Sequence, residues 1–381
     1  MKSILACLVA LLLALTLALP VAVFAQELVD TESAKAVLLT PLQSNVAIVA
    51  QNEDKALPVA GLAKLPAILT LALAFDEGII APDASMQVSK KASGIPGPTA
   101  FLDAGETAQA EALLKAAVMI SAGDAIWTLG ENAFGSEQVF LQNIQVVLQR
   151  LGLDLALTDC LGGGTLFTAR DLLALGQAAA GSQSFLRFAT RYMDELKHAD
   201  GRQTELVNAN RLVRFYAGCF GLLTGSAREE GYSGVFAVTK NEVSYVAVVI
   251  GASSSEDRFT AATRLFDYAY ANCKQRALAT AYEPLLKDYP VLYGDSNTVN
   301  LVPHETVVSL LQKQDGELGC TYELPETLLA PLAPSTGVGR AVYAYPNSAP
   351  LYVVELFPEF EVMSFGFMDI LMRFFHDFMV G

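Results

Sequence analysis

The sequence predicts an α+β chain: an antiparallel sheet flanked by helices, followed by a small all-β sandwich and a terminal amphipathic helix. Three observations carry this. Two hairpin-like patterns lie far apart, at Ala36–Asn52 and Tyr232–Gly251, and helical runs dominate the stretch between them. From Pro290 onward, short β-rich pieces alternate with Pro, Gly, Asn and Asp turns. The last of the three is the segment Phe365–Met379, which spaces Asp369, Arg373, His376 and Asp377 at i, i+4, i+7 and i+8 on an otherwise apolar stretch.

Residues 1–25 hold a single charge, Lys2, then an apolar run from Ile4 to Leu19, a Pro20 break and Val23-Phe24-Ala25. This pattern predicts a signal peptide cleaved after Ala25, since the run is short for a spanning helix. Ala36–Asn52 alternates around Pro41–Asn45 as a hairpin, and Ala60–Leu73 has the length and Ala/Leu content of a helix. Glu111–Glu131 and Ser136–Leu151 read as two further helices, and Thr168–Ala180 as another, with Thr168 and Asp171 spaced as a capping pair. Tyr232–Lys240 and Val243–Gly251 form a hairpin around Asn241-Glu242, and Glu256–Cys273 is again helical. The β-rich pieces that follow are Thr298–Val302, Thr306–Leu311, Gly319–Leu324, Gly339–Tyr345 and Leu351–Phe357. The expected organisation is a signal peptide at 1–25, a mixed domain at 26–285, a β-sandwich at 286–362 and an amphipathic helix at 363–381. That helix, with five Phe beside Met, Ile and Leu over 365–379, suits the membrane interface.

Composition narrows the function. Hydrophobic residues make up 52% of the 381, enough for one large core or two smaller ones. With 25 Lys plus Arg against 40 Asp plus Glu, the formal charge is −15. No basic surface is available for phosphate contacts, which argues against nucleic acid as a partner. Three scattered His do not make a metal cage, so neither a metal nor another cofactor is expected. Removing Lys2 with the leader gives 24 − 40 = −16. Residues 286–381 hold 4 Lys/Arg and 12 Asp/Glu, a local −8, which suits a spacer or partner platform better than a binder of anionic glycans.

Ala60-Gly61-Leu62-Ala63-Lys64-Leu65 opens a helix after a hairpin, where the penicillin-binding D-alanyl-D-alanine carboxypeptidases carry Ala-Ser-x-x-Lys-Leu. Ser121-Ala122-Gly123 falls at that family's Ser-x-Asn, preceded by a similar Pro98–Leu114 segment, and Phe167–Asp171 resembles its Ser/Thr-Ala-x-Asp helix start. Asn208-Ala209-Asn210-Arg211-Leu212 resembles Asn-x-Asn-x-Leu, and Gly221-Leu222-Leu223-Thr224-Gly225 resembles Gly-x-Lys-Thr-Gly. The resemblance spans nearly all of the chain after residue 25. It implies a penicillin-binding/β-lactamase-like domain with a β module behind it, and acyl transfer from D-alanyl-D-alanine peptides through a serine ester.

Against that pattern the chain departs at each motif. The nucleophile position is Gly61, the Asn position is Gly123 and the Lys position is Leu223, while Glu230 stands where the family tends to have Ala. What the resemblance retains is Lys64 and Ser121 as vestigial catalytic groups, Thr224, Gly225 and Ser226 for substrate contact, and backbone N–H groups at 61 and 226 for an oxyanion nest. Lys64 is left nearly alone as a cation in the groove. The expected function is a catalytically inactive homologue in the cell envelope that binds peptidoglycan stem peptides or docks onto cell-wall enzymes. Two alternatives stay open: residual carboxypeptidase activity through Ser121 and Lys64, and a structural scaffold held at the membrane surface by 365–379. Beyond the leader the cysteines are Cys160, Cys219, Cys273 and Cys320; the resemblance places Cys160 and Cys219 at the groove rim, which suggests a Cys160–Cys219 disulfide.

Overall fold

The computed structural model describes residues 31, 33–44, 46–312, 318–346 and 350–366. The expected signal peptide lies outside the described residues, as does the expected terminal helix beyond Gly366. Residues 363–366 are not helical: Ser364 bridges Gly294 and the Phe365 N–H donates to the Tyr293 carbonyl. The chain divides into two compact units, Met1–Ala271 and Asn272–Gly381. Among the described residues no helix is long and apolar enough to cross a membrane.

The first unit is built on a five-stranded antiparallel sheet. Strands β1 (Ala36–Pro41) and β2 (Val49–Gln51) form the early hairpin; β3 (Cys219–Ala227), β4 (Gly231–Lys240) and β5 (Val243–Ala252) come from the far end of the unit. Their order is β2-β1-β5-β4-β3, with Ala36 opposite Ile250 and Leu39 opposite Ala247. Strand β3 therefore closes one edge. Both faces of the sheet are covered, which is why β4 and β5 read as nearly continuous apolar runs. Val235, Ala237 and Leu223 join the core shared with the helices, while Phe236 turns the other way against Phe259.

The longer helices are α1 (Leu65–Asp76), α2 (Ala110–Ile120), α3 (Gly123–Phe134), α4 (Glu137–Arg150), α5 (Ala169–Gly181) and α6 (Ser255–Asn272). Ser136 caps α4, and Thr168 with Asp171 forms the reciprocal capping box on α5 that their spacing predicts. The helix expected over Glu111–Glu131 is two helices. Ser121 adopts a left-handed conformation (φ 54°, ψ 39°), which ends α2, and Ala122 is extended before α3 begins. The break turns the chain at the point where the second motif was expected.

In the second unit, strands β6 (Leu286–Leu292), β7 (Thr298–Val302), β8 (Gly319–Glu323), β9 (Leu328–Leu329), β10 (Gly339–Ala344) and β11 (Tyr352–Pro358) make a six-stranded sheet in the order β8-β10-β11-β7-β6-β9. A separate two-stranded ribbon, Cys273–Ala279 with Val307–Gln312, belongs to the same unit, which therefore begins one strand earlier than the change of texture suggests. Leu301, Ala341 and Leu356 lie at the centre of its core.

The expected Cys160–Cys219 disulfide is absent. Cys160 is packed in the helical core and Cys219 donates its thiol to the Gly221 carbonyl at 3.3 Å, and neither is bonded to another cysteine. Burial pushes the two thiols up to about 12 and about 11, which suppresses their thiolates. Alkylation of the native protein by iodoacetamide near neutral pH is expected to modify exposed Cys320 and spare Cys160, read by peptide mass spectrometry.

Candidate functional site

Three segments of the first unit converge around the Ala60–Lys64 turn. The first is the turn before α1. Leu57–Pro58 pairs with Leu166–Phe167, Ala60 takes a positive φ of 53°, and Ala60–Lys64 winds into a 3-10 turn that feeds α1. The Ala60 N–H is received by Glu230 Oε2 at 2.7 Å, so this carboxylate is engaged by backbone where the sequence suggested an extra charge in the groove. Leu62, Ala63 and Lys64 point inward, and Gly162 packs its backbone against the Ala63 carbonyl from behind. Glu230→Ala strands the Ala60 N–H and is expected to destabilise the protein by about 1–2 kcal/mol, seen as a lower urea midpoint at unchanged slope.

Strand β3 supplies the second segment. A Cβ on Gly225 would sit 2.1 Å from the Leu62 nitrogen and 2.8 Å from the Val59 oxygen, so only glycine lets the strand lie this close to the turn. Leu223, two residues earlier, is 2% exposed and belongs to the core, where its isobutyl group replaces the expected ammonium with apolar packing. Thr224 is buried between them.

The α2–α3 break is the third. Lys64 is 8% exposed and its Nζ donates to the backbone carbonyl of Ser121 at 2.9 Å. Burial lowers the Lys64 pKa, opposed by the nearby negative charge of Asp124. Asp124 itself accepts backbone N–H groups from Ala100, Leu102 and Ala125, at 2.8–3.1 Å, and so fixes the loop before α3. The Ser121 hydroxyl is buried and has no partner among the described residues. Lys64 thus faces the serine's carbonyl and makes no bond to its Oγ.

The structure accounts for the missing side chains differently at positions 61 and 123. A Cβ at Gly61 has ordinary room, with Gly225 Cα at 3.7 Å as its nearest neighbour. At Gly123 the space is taken: a Cβ would meet Ile95 Cγ2 at 2.6 Å and Lys64 Nζ at 3.3 Å. Ile95 fills the volume of the absent amide.

Two residues of this site were not singled out from sequence. Ile95 lies in a loop with no periodic signal. Arg258 of α6 is 3% exposed, and its Nη1 donates to the Gly225 carbonyl (3.0 Å), Ser226 Oγ (3.1 Å) and the Ser233 carbonyl (3.1 Å). Its guanidinium lies 4.5 Å from the Phe259 ring centroid, its Nε is buried without a partner among the described residues, and burial brings its pKa down to about 10. Lys64 is therefore not the lone cation; Arg258 reaches Ser226 from the other side of the sheet edge. Helical spacing carried the signal, because Arg258 falls in register with Ala262, Leu265 and Ala269, the apolar stripe of α6.

Residues 23–254 match the family model described as D-alanyl-D-alanine carboxypeptidase. The chain belongs to the D-alanyl-D-alanine carboxypeptidase family. It is 25% identical over 315 residues to the D-alanyl-D-alanine carboxypeptidase DacF of Bacillus subtilis, covering 81% of each chain, and 26% identical over 360 residues to DacC of Escherichia coli, covering 88% of each. The fold is that of penicillin binding protein 5 from Haemophilus influenzae: the TM-score is 0.78 at 21% identity, over 87% of this chain and 98% of that one. In this carboxypeptidase homologue Gly61, Lys64, Ser121, Gly123 and Gly225 lie together, joined by the Lys64–Ser121 hydrogen bond and the close approach of Gly225 to Leu62.

Proposed function

We propose that this protein is a non-catalytic member of its family that acts in the cell wall by holding the D-alanyl ends of peptidoglycan stem peptides without acylating. The observation that carries the reading is Gly61: the position from which a hydroxyl would attack has no side chain, and no acyl-enzyme forms on a glycine. The direction of Lys64 supports it, since an amine donating to a carbonyl is engaged as a structural donor. Arg258, buried beneath the β3 edge by its bonds to the Gly225 and Ser233 carbonyls and Ser226 Oγ, acts as a positioning residue whose charge favours a peptide carboxylate at that edge.

The experiment is incubation with a fluorescent penicillin beside a binding titration with a D-alanyl-D-alanine peptide. The expected result is no covalent label, with reversible peptide binding that weakens about tenfold or more in Arg258→Gln, equivalent to about 1.4 kcal/mol. Covalent labelling lost in Ser121→Ala would instead establish the second reading, residual hydrolysis through Ser121 and Lys64, which the unpartnered Ser121 hydroxyl beside a lysine of lowered pKa favours. Extracytoplasmic location and attachment through 365–379 belong to the same proposal and rest on the sequence patterns at the two ends.

A further inference from the structure

The second unit carries a surface that its fold does not require. Side chains alternate along β11, so Val354, Leu356 and Pro358 are buried while Val353, Glu355 and Phe357 face out. Valine and phenylalanine on a solvent-facing strand leave apolar area uncovered, and Val353 is 51% exposed. Phe357 is met by His304, whose ring stacks on it at 3.8 Å between centroids and 9° between planes. Tyr282 adjoins His304 in turn at 5.5 Å. Tyr282 is 69% exposed and has a φ of +62°, an uncommon backbone state for a bulky residue, held by its N–H donating to the Pro303 carbonyl at 2.8 Å. The strained backbone thus presents an aromatic ring to water at the end of a flat aromatic stack.

Beside this stack runs a groove of about 390 Å³, between His304, Glu305 and Val307 on one side and Val353, Glu355 and Phe357 on the other. Gly337 flanks Phe357 and Glu355 and has no side chain to cover them. An exposed aromatic ring at the groove's end, two carboxylates and small apolar walls are a set with a specific complement. We propose that this groove binds a neutral, N-acetylated saccharide chain. The C–H face of a sugar ring stacks on exposed Tyr282 at the His304 end of the groove, ring hydroxyls and acetamido N–H groups donate to Glu305 and Glu355, and acetyl methyls rest against Val307 and Val353. The local −8 turns away polyanions but leaves a neutral glycan unopposed. This site belongs to the second unit and stands whether or not the groove of the first binds peptide.

The test uses the full chain and a tetramer of N-acetylglucosamine, observed by saturation-transfer NMR. Transfer to the acetamido methyl protons is expected, unchanged by added salt because no ion pair is involved. Tyr282→Ala should weaken binding about tenfold and Glu355→Gln several-fold, with circular dichroism showing both variants folded and D-alanyl peptide binding by the first unit unaltered. Absence of transfer, or transfer unchanged in both folded variants, overturns the proposal. So does salt-sensitive binding of oligolysine in place of the tetrasaccharide, which would make the groove a site for basic peptides.

Discussion

Reacting the combined variant Gly61→Ser, Gly123→Asn, Leu223→Lys and Ile95→Ala with a fluorescent penicillin is expected to yield a covalent adduct, whereas the same three changes with Ile95 retained react far more slowly. The serine fits, because a Cβ at position 61 has no neighbour nearer than 3.7 Å. The asparagine does not, since Ile95 Cγ2 lies 2.6 Å from where its Cβ must go. Forcing it in displaces Lys64, which lies 3.3 Å from the same point, and a misplaced general base forfeits most of the rate. Truncating Ile95 clears the amide's volume. Leu223→Lys adds a charge at a core position that is 2% exposed, so the combined variant is expected to be several kcal/mol less stable even as it gains reactivity. The difference in labelling rate between the two sets should reach about 10²–10³, the scale of a catalytic group placed correctly or not. A combined variant that folds and stays unlabelled would contradict the placement of the three motifs.

Gly225→Ala is expected to be the most destabilising single change at the site. Its new Cβ would lie 2.1 Å from the Leu62 nitrogen, and the clash is with backbone, which no rotamer relieves. Either β3 or the 3-10 turn must move, at about 3–5 kcal/mol, or a fall in Tm of about 10 °C for a domain of this size. Gly61→Ala faces it across the same gap and meets Gly225 Cα only at 3.7 Å, so its stability should stay within about 1 kcal/mol of the parent. Differential scanning calorimetry separates the two, and comparable Tm values would show that strand and turn are not in the contact described.

The frame of the site was legible in sequence because it rests on short-range spacing. Gly61 and Lys64 sit one turn apart, Ser121 and Gly123 flank a helix start, and Thr224 and Gly225 lie on a strand whose hairpin partner alternates visibly. The two hairpins and the capping box on α5 were legible for the same reason. What fills the frame was not. Ile95 reaches Gly123 across a turn that no periodicity describes, and Arg258 reaches Ser226 from a helix 32 positions away in number, through contacts that only the folded sheet creates. The disulfide suggestion failed on the same ground: motif order placed Cys160 and Cys219 at one rim, but the fold buries Cys160 in the helical core and turns the Cys219 thiol to the Gly221 carbonyl. The missed break at Ser121 is a matter of backbone, since a left-handed serine leaves no mark in hydropathy.

The position of β1 has a consequence for how the protein is made. This strand, near the start of the chain, lies inside the sheet between β2 and β5, and its partner residues run from Tyr245 to Ile250. A ribosome must therefore synthesise nearly the whole first unit before Ala36–Pro41 finds its long-range neighbour, and through that interval the apolar strand, paired locally with β2, keeps its other edge open. Closing a loop of roughly 200 residues is a slow step, and a slow step with an unpaired edge exposes the nascent chain to aggregation. Folding of the first unit is post-synthetic by topology, its last-made hairpin serving as the template onto which its first-made strand is laid.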